Sequence, residues 1–216
     1  MDSTYPAPDT AAAVTRDAGW QHAARRARLL SWLSLAYMVA EGAIAITAAV
    51  IAGSVALLGF GLDSAIEGLA SVIIIWRFTG TRTLSETAEV RARKAVAVTF
   101  FLLAPYIAYD AAAALIARSH AETSWLGIGL AITSLIVMPA LGVAKRRLGA
   151  RLGSPATAGE GTQNLLCAYL AAAVLAGLLA NTVQGWRWLD PVVALGIAAL
   201  AVREGTEAWH GEECAC

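Results

Sequence analysis

Residues 53–78 read Gly-Ser-Val-Ala-Leu-Leu-Gly-Phe-Gly-Leu-Asp-Ser-Ala-Ile-Glu-Gly-Leu-Ala-Ser-Val-Ile-Ile-Ile-Trp-Arg-Phe. This run is long enough to cross the hydrocarbon core of a bilayer as a helix, which takes about 20 apolar residues. Within it lie two carboxylates, Asp63 and Glu67, spaced so that both fall on one helix face. A charge at the centre of a membrane helix costs at least roughly 2.5–3.5 kcal/mol, so such residues face a bundle interior and mark a functional site.

Five further apolar stretches flank this one: roughly Leu29–Val50, Ala95–Ala117, Trp125–Ala144, Ser154–Ala180 and Pro191–Val202, with Val55–Phe78 as the second of six. The whole chain of 216 residues is 58% apolar and 15% charged. Soluble domains average about 25% charged residues. The expected fold is therefore all-α, a polytopic membrane protein with six transmembrane helices over residues 29–205. A disordered cytoplasmic N-terminal tail (1–28) and a short C-terminal tail (206–216) flank it. Sixteen basic and sixteen acidic residues cancel, leaving no basic field that would attract nucleic acid.

Basic residues set the orientation. Fourteen of the sixteen fall on one side: Arg16, Arg25, Arg26 and Arg28; Arg77, Arg82, Arg91, Arg93 and Lys94; Lys145, Arg146, Arg147 and Arg151; and Arg203. Only Arg118 and Arg187 fall on the other. Both termini are thus expected in the cytoplasm. The Arg-over-Lys bias points to a bacterial inner membrane.

The sequence matches itself at an offset of 100 residues. Ser34, Leu35, Met38, Ala40 and Gly42 recur as Ser134, Leu135, Met138, Ala140 and Gly142. Gly53, Ser54, Ala56, Gly59 and Gly61 recur as Gly153, Ser154, Ala156, Gly159 and Gly161. Segments 1–2 and 4–5 run in opposite senses, so this is an inverted repeat, a construction of secondary transporters with the substrate site at the repeat interface. In the second copy Gln163 and Cys167 take the places of Asp63 and Glu67, with Glu160 a turn earlier. Asp63, Glu67, Gln163 and Cys167 are expected to meet at one depth and hold a divalent cation, with Glu160 completing the shell. No intramembrane Lys, Arg or His is expected to neutralise the carboxylates. Protons would replace the metal when it leaves.

Glu41 is a candidate for a proton path or outer shell, as is Asp110, for which a hydrogen bond to Tyr106 or Tyr109 is the plainer reading. In the tail, His210, Cys214 and Cys216 could capture a borderline-soft ion such as zinc. No catalytic motif is present, and no prosthetic group is expected.

The motifs Gly53-Ser54-Val55-Ala56-Leu57-Leu58 and Asp63-x-x-x-Glu67 resemble the helix 2 signature of the cation diffusion facilitator, or cation efflux, family. Its second Ser-x-Ala element falls on Ser154-Pro155-Ala156, its helix 5 His-x-x-x-Asp pair on Gln163 and Cys167, and its helix 6 Asp-Pro on Asp190-Pro191. The resemblance implies a six-helix transporter moving zinc or a similar metal out of the cytoplasm by proton exchange, as a homodimer. This chain reads as a short form without the family's C-terminal cytoplasmic domain. It departs at helix 5, which has neither His nor Asp, and at Glu67, which replaces a shorter Asp. Phe60 and Glu160 stand where an Asp often precedes the pair. The alternative from another class is a transport-incompetent metal-binding or scaffold subunit; an intramembrane aspartyl hydrolase built on Asp63 and Asp110 is more remote.

Overall fold

In the computed structural model, which describes residues 17–52, 55–117, 125–184 and 189–211, six long helices carry the chain. They are α1 (Ala18–Ala52), α2 (Val55–Arg77), α3 (Glu86–Ala117), α4 (Trp125–Leu152), α5 (Pro155–Gln184) and α6 (Leu189–His210), with a short 3-10 turn at Gly80–Leu84. Among the described residues there is no strand. On length and composition alone, α1, α3 and α4 carry windows long and apolar enough to cross a membrane. The polytopic all-helical fold is therefore as expected.

The molecule is inverted relative to a soluble protein. Large apolar side chains such as Leu29, Trp32, Val39, Leu69, Val72 and Ile136 are exposed around its outside. Its interior buries Ser31, Ser34, Glu41, Asp63, Ser64, Glu67, Thr99, Ser134, Lys145, Glu160, Gln163 and Asn164. An apolar exterior of this extent suits lipid rather than water.

Two hairpins form the centre. α1 packs on α2 and α4 on α5; α1 also touches α4, and α2 touches α5, while α3 and α6 pair alongside. The offset of 100 residues reappears as geometry. Gly42 on α1 abuts the backbone of Gly61 on α2, and Gly142 on α4 abuts that of Gly161 on α5. A Cβ at Gly42 would lie 3.4 Å from the Gly61 carbonyl oxygen, and one at Gly142 only 2.8 Å from that of Gly161. Small residues let membrane helices approach closely because dispersion contacts drive their association.

Four helix limits lie well outside the hydropathy reading: α3 starts at Glu86 rather than Ala95, α4 ends at Leu152 rather than Ala144, and α1 and α6 are also extended. α1 starts at Ala18, ahead of Leu29, because Asp17 caps it by accepting from Trp20 N (2.7 Å) and because Ala23, Ala24 and Ala27 bury against Phe78 and Leu152. α6 runs on to His210, past Arg203, with Arg203 and Glu207 paired at 2.7 Å along its surface. Residues 18–28 and 206–210 are thus helix rather than tail. Residues 1–16, Gly53 and Ser54 of the helix 2 motif, Arg118, Arg187, Cys214 and Cys216 lie outside the described residues.

At the end of the bundle where most basic residues gather, Glu89 of α3 accepts from Arg77 Nε (2.7 Å), from Ser154 Oγ (3.0 Å) and from the Ala156 backbone N–H (3.1 Å). The carboxylate sits at the N-terminus of α5, where the exposed amides favour an anion. One side chain thereby ties α2, α3 and α5 together at this basic end.

Candidate metal centre

α2 presents Asp63 and Glu67 one turn apart on its inward face, and α5 presents Cys167 opposite them. One ligand atom from each of the three lies within 4.8 Å of the others, and all three residues are buried. Cys167 Sγ is 3.9 Å from Asp63 Oδ2. Met38 and Met138, equivalent positions of the repeat, pack in the same cluster as Cys167 and Ala168.

The hydrogen-bond state of the cluster is its most informative property. Asp63 Oδ1, both carboxylate oxygens of Glu67 and Gln163 Oε1 are buried without a hydrogen-bond partner. Buried carboxylate oxygens are costly when unpaired and call for a specific explanation. Among the described residues no Lys, Arg or His forms an ion pair with Asp63 or Glu67. A cation between α2 and α5 would satisfy the carboxylate oxygens of Asp63 and Glu67, and two carboxylates with a thiol are a donor set that divalent metals accept.

Gln163 stands one turn before Cys167 on α5. Its Nε2 donates to Thr99 Oγ1 (2.9 Å), and the Thr99 hydroxyl itself donates to the Val96 carbonyl (2.7 Å). Since that hydroxyl can only accept from Gln163, the amide nitrogen is fixed on that side and the oxygen on the other. Thr99 is a supporting residue that the sequence reading missed.

Glu160 does not complete the shell around this cluster. Its Oε1 is 2.7 Å from Lys145 Nζ, and its Oε2 accepts from Ser31 Oγ at 2.7 Å. Lys145 has no exposed surface, and it donates further to Ser34 Oγ (2.6 Å) and Asn164 Oδ1 (3.0 Å). This corrects the expectation of an interior without basic residues. It also moves Lys145 from the orienting charges to the core. The buried positions of α4 include Ala131, Ser134, Met138, Gly142, Lys145, Gly149 and Leu152. Their three- and four-residue spacing carries Lys145 inward with its neighbours.

Glu41 is buried outside the carboxylate–thiol cluster, accepting from Tyr37 Oη (2.9 Å), Ser64 Oγ (3.0 Å) and Ser134 Oγ. Ser64 follows Asp63 directly, so Glu41 is a near neighbour of the cluster. Asp110 is exposed and forms no hydrogen bond to Tyr106 or Tyr109. His210 is exposed, with Nδ1 2.9 Å from the Thr206 carbonyl oxygen. Its proposed partners Cys214 and Cys216 lie outside the described residues.

A bundle of apolar-faced helices closing on an internal carboxylate–thiol cluster defines the class: a polytopic helical membrane protein with a buried candidate cation site between its two hairpins. The chain belongs to the cation efflux family, whose transmembrane-domain model matches residues 31–208. It is 27% identical over 191 residues to an uncharacterized transporter of Synechocystis sp., covering 85% of this chain and 62% of that protein. It is likewise 27% identical over 188 residues to Transmembrane protein 163 of Xenopus laevis, covering 86% of this chain and 66% of that protein. The matches therefore span less than two thirds of either relative.

Proposed function

We propose that this chain moves divalent metal ions across a membrane, with Asp63, Glu67 and Cys167 holding the ion and Gln163 Oε1 supplying a fourth ligand. The observation that carries this reading is the buried, unpartnered carboxylate oxygens of Asp63 and Glu67 gathered with the Cys167 thiol between α2 and α5. Zinc fits best, being four-coordinate and accepting both thiolate and carboxylate. Family membership supports cation efflux as the process.

Metal binding requires ionised carboxylates and favours a thiolate, so uptake of the ion releases protons and its departure takes them up. Exchange of metal against protons follows from that balance. In this reading the chain works as a homodimer in a bacterial inner membrane, with both termini and the basic end in the cytoplasm. The inverted repeat supplies two hairpins that rock against each other around the cluster.

Reconstituted into liposomes with a pH gradient, the protein is expected to move zinc and protons in opposite directions. Asp63→Asn with Glu67→Gln is expected to abolish both fluxes while the purified protein keeps its helical content. Unaltered flux in that variant would refute the assignment. Stoichiometric zinc binding without flux under any gradient would instead favour a metal-binding subunit that does not transport.

A further inference from the structure

A second buried polar group in the bundle is a cage of oxygens around a cation of the protein's own. Lys145 Nζ is enclosed by three oxygens: Glu160 Oε1 at 2.7 Å, Ser34 Oγ at 2.6 Å and Asn164 Oδ1 at 3.0 Å. Ser31 Oγ braces the other oxygen of Glu160 at 2.7 Å. These donors come from α1 and α5, while the ammonium comes from α4. Lys145, Ser31, Ser34, Glu160 and Asn164 are all buried.

The cage lies in line with the metal cluster. Glu160, Asn164 and Cys167 are spaced by four and then three residues and so share one face of α5. Seven residues of helix from Glu160 to Cys167 span about 10 Å. Glu160 is the nearer of the two to the N-terminus of α5, so the cage lies between the cluster and the basic end of the bundle. An ion passing from that end to the cluster along this face of α5 meets the cage first.

We propose that Glu160, Asn164 and Ser34 form a loading site for a divalent cation, and that the Lys145 ammonium is a tethered stand-in which the incoming ion displaces. This rests on the transport reading above. The all-oxygen donor set selects a harder ion state than the thiol-bearing cluster does. It receives the ion with part of its water before the cluster takes it. A buried ion pair suits this exchange because its Coulomb attraction is largely offset by lost hydration. Once water and a new cation arrive, separating the pair costs little, and the four-carbon stem of lysine lets its ammonium swing toward the basic end.

The test uses the purified full chain in detergent with Mn2+ alone as probe, read by calorimetric titration and by the thermal shift on adding the ion. Asp63→Asn with Glu67→Gln first removes the cluster and is expected to leave no tight Mn2+ binding. Adding Lys145→Met to that background empties the cage of its ammonium. The triple variant is expected to bind one Mn2+ per chain more tightly by about a hundredfold, and to gain thermal stability with the ion. Adding Glu160→Gln is expected to abolish both effects. If Lys145→Met does not yield folded protein, Asn164→Asp in the same background keeps the lysine, adds a carboxylate to the cage and is expected to recruit the ion. Absence of a gained ion in both, or binding that survives Glu160→Gln, would overturn the loading site. Tight binding left in the Asp63→Asn, Glu67→Gln protein after Glu160→Gln is added would instead count against the cluster reading.

Discussion

The α1–α2 hairpin and the α4–α5 hairpin surround opposite charges with equivalent polar partners, the charges themselves sitting four residues apart in the repeat register at Glu41 and Lys145. In the first, the Glu41 carboxylate accepts from Ser64 of its own hairpin and Ser134 of the other. In the second, the Lys145 ammonium donates to Asn164 of its own hairpin and Ser34 of the other. Positions 64 and 164, and positions 34 and 134, are equivalents of the repeat. A hydroxyl can donate to an anion or accept from a cation. The repeat therefore keeps the polar positions and lets the sign of the buried charge differ. What separates the halves is the compensation: Lys145 has a counter-ion in Glu160, whereas Glu41 relies on hydroxyl donors.

The largest expected effect tests that asymmetry. Lys145→Met strands Glu160 without its counter-ion and is expected to cost about 3–5 kcal/mol in the absence of added metal. Glu41→Gln keeps an acceptor oxygen for the hydroxyls and is expected to cost about 1 kcal/mol. Thermal unfolding of the two purified variants compares them directly; equal losses would erase the proposed difference.

Next comes the packing of the glycines. Ala at position 142 would place a methyl 2.8 Å from a backbone oxygen, whereas Ala at position 42 has 3.4 Å. Gly142→Ala is therefore expected to cost about 1–3 kcal/mol through overpacking, and Gly42→Ala distinctly less. The same unfolding assay ranks them, and the reverse order would show that the two helix contacts do not behave as their spacing implies.

A smaller effect separates the ligands contributed by the two halves. Cys167→Ser replaces the thiol of the second hairpin with a harder oxygen and is expected to weaken zinc relative to manganese by about tenfold, or 1.4 kcal/mol. Competition titration measures the ratio. Acidification should act more evenly on both halves. Ligand groups on α2 and α5 alike must be deprotonated to bind, so zinc affinity should fall as pH falls. Affinity that rises on acidification would contradict the ligand set.

Much of this was legible in the residues. Six apolar stretches gave the helices, because spanning a bilayer demands a length that composition reveals. The four-residue spacing placed Asp63 and Glu67 on one face, and the repeat register brought Cys167 to them. The pairing of Glu160 is hidden in the sequence because its partner reads as a surface charge: Lys145 opens a Lys-Arg-Arg run. Hydropathy averages over such a run, while burial follows the spacing of Ser134, Met138 and Gly142, which carries Lys145 inward. The early start of α1 was hidden for a related reason. Its buried contacts there are the alanines Ala23, Ala24 and Ala27, whose contribution to hydropathy is cancelled by Arg25, Arg26 and Arg28 between and beside them.

The Lys145–Glu160 pair also bears on how the chain enters a bilayer. Both members lie in one hairpin, fifteen residues apart, so α4 and α5 bring a self-neutralised pair into the membrane together. The first hairpin has no such provision for Glu41, whose hydroxyl set is completed by Ser134 of the later one. The donor set of Glu41 is therefore complete only when α4 packs on α1.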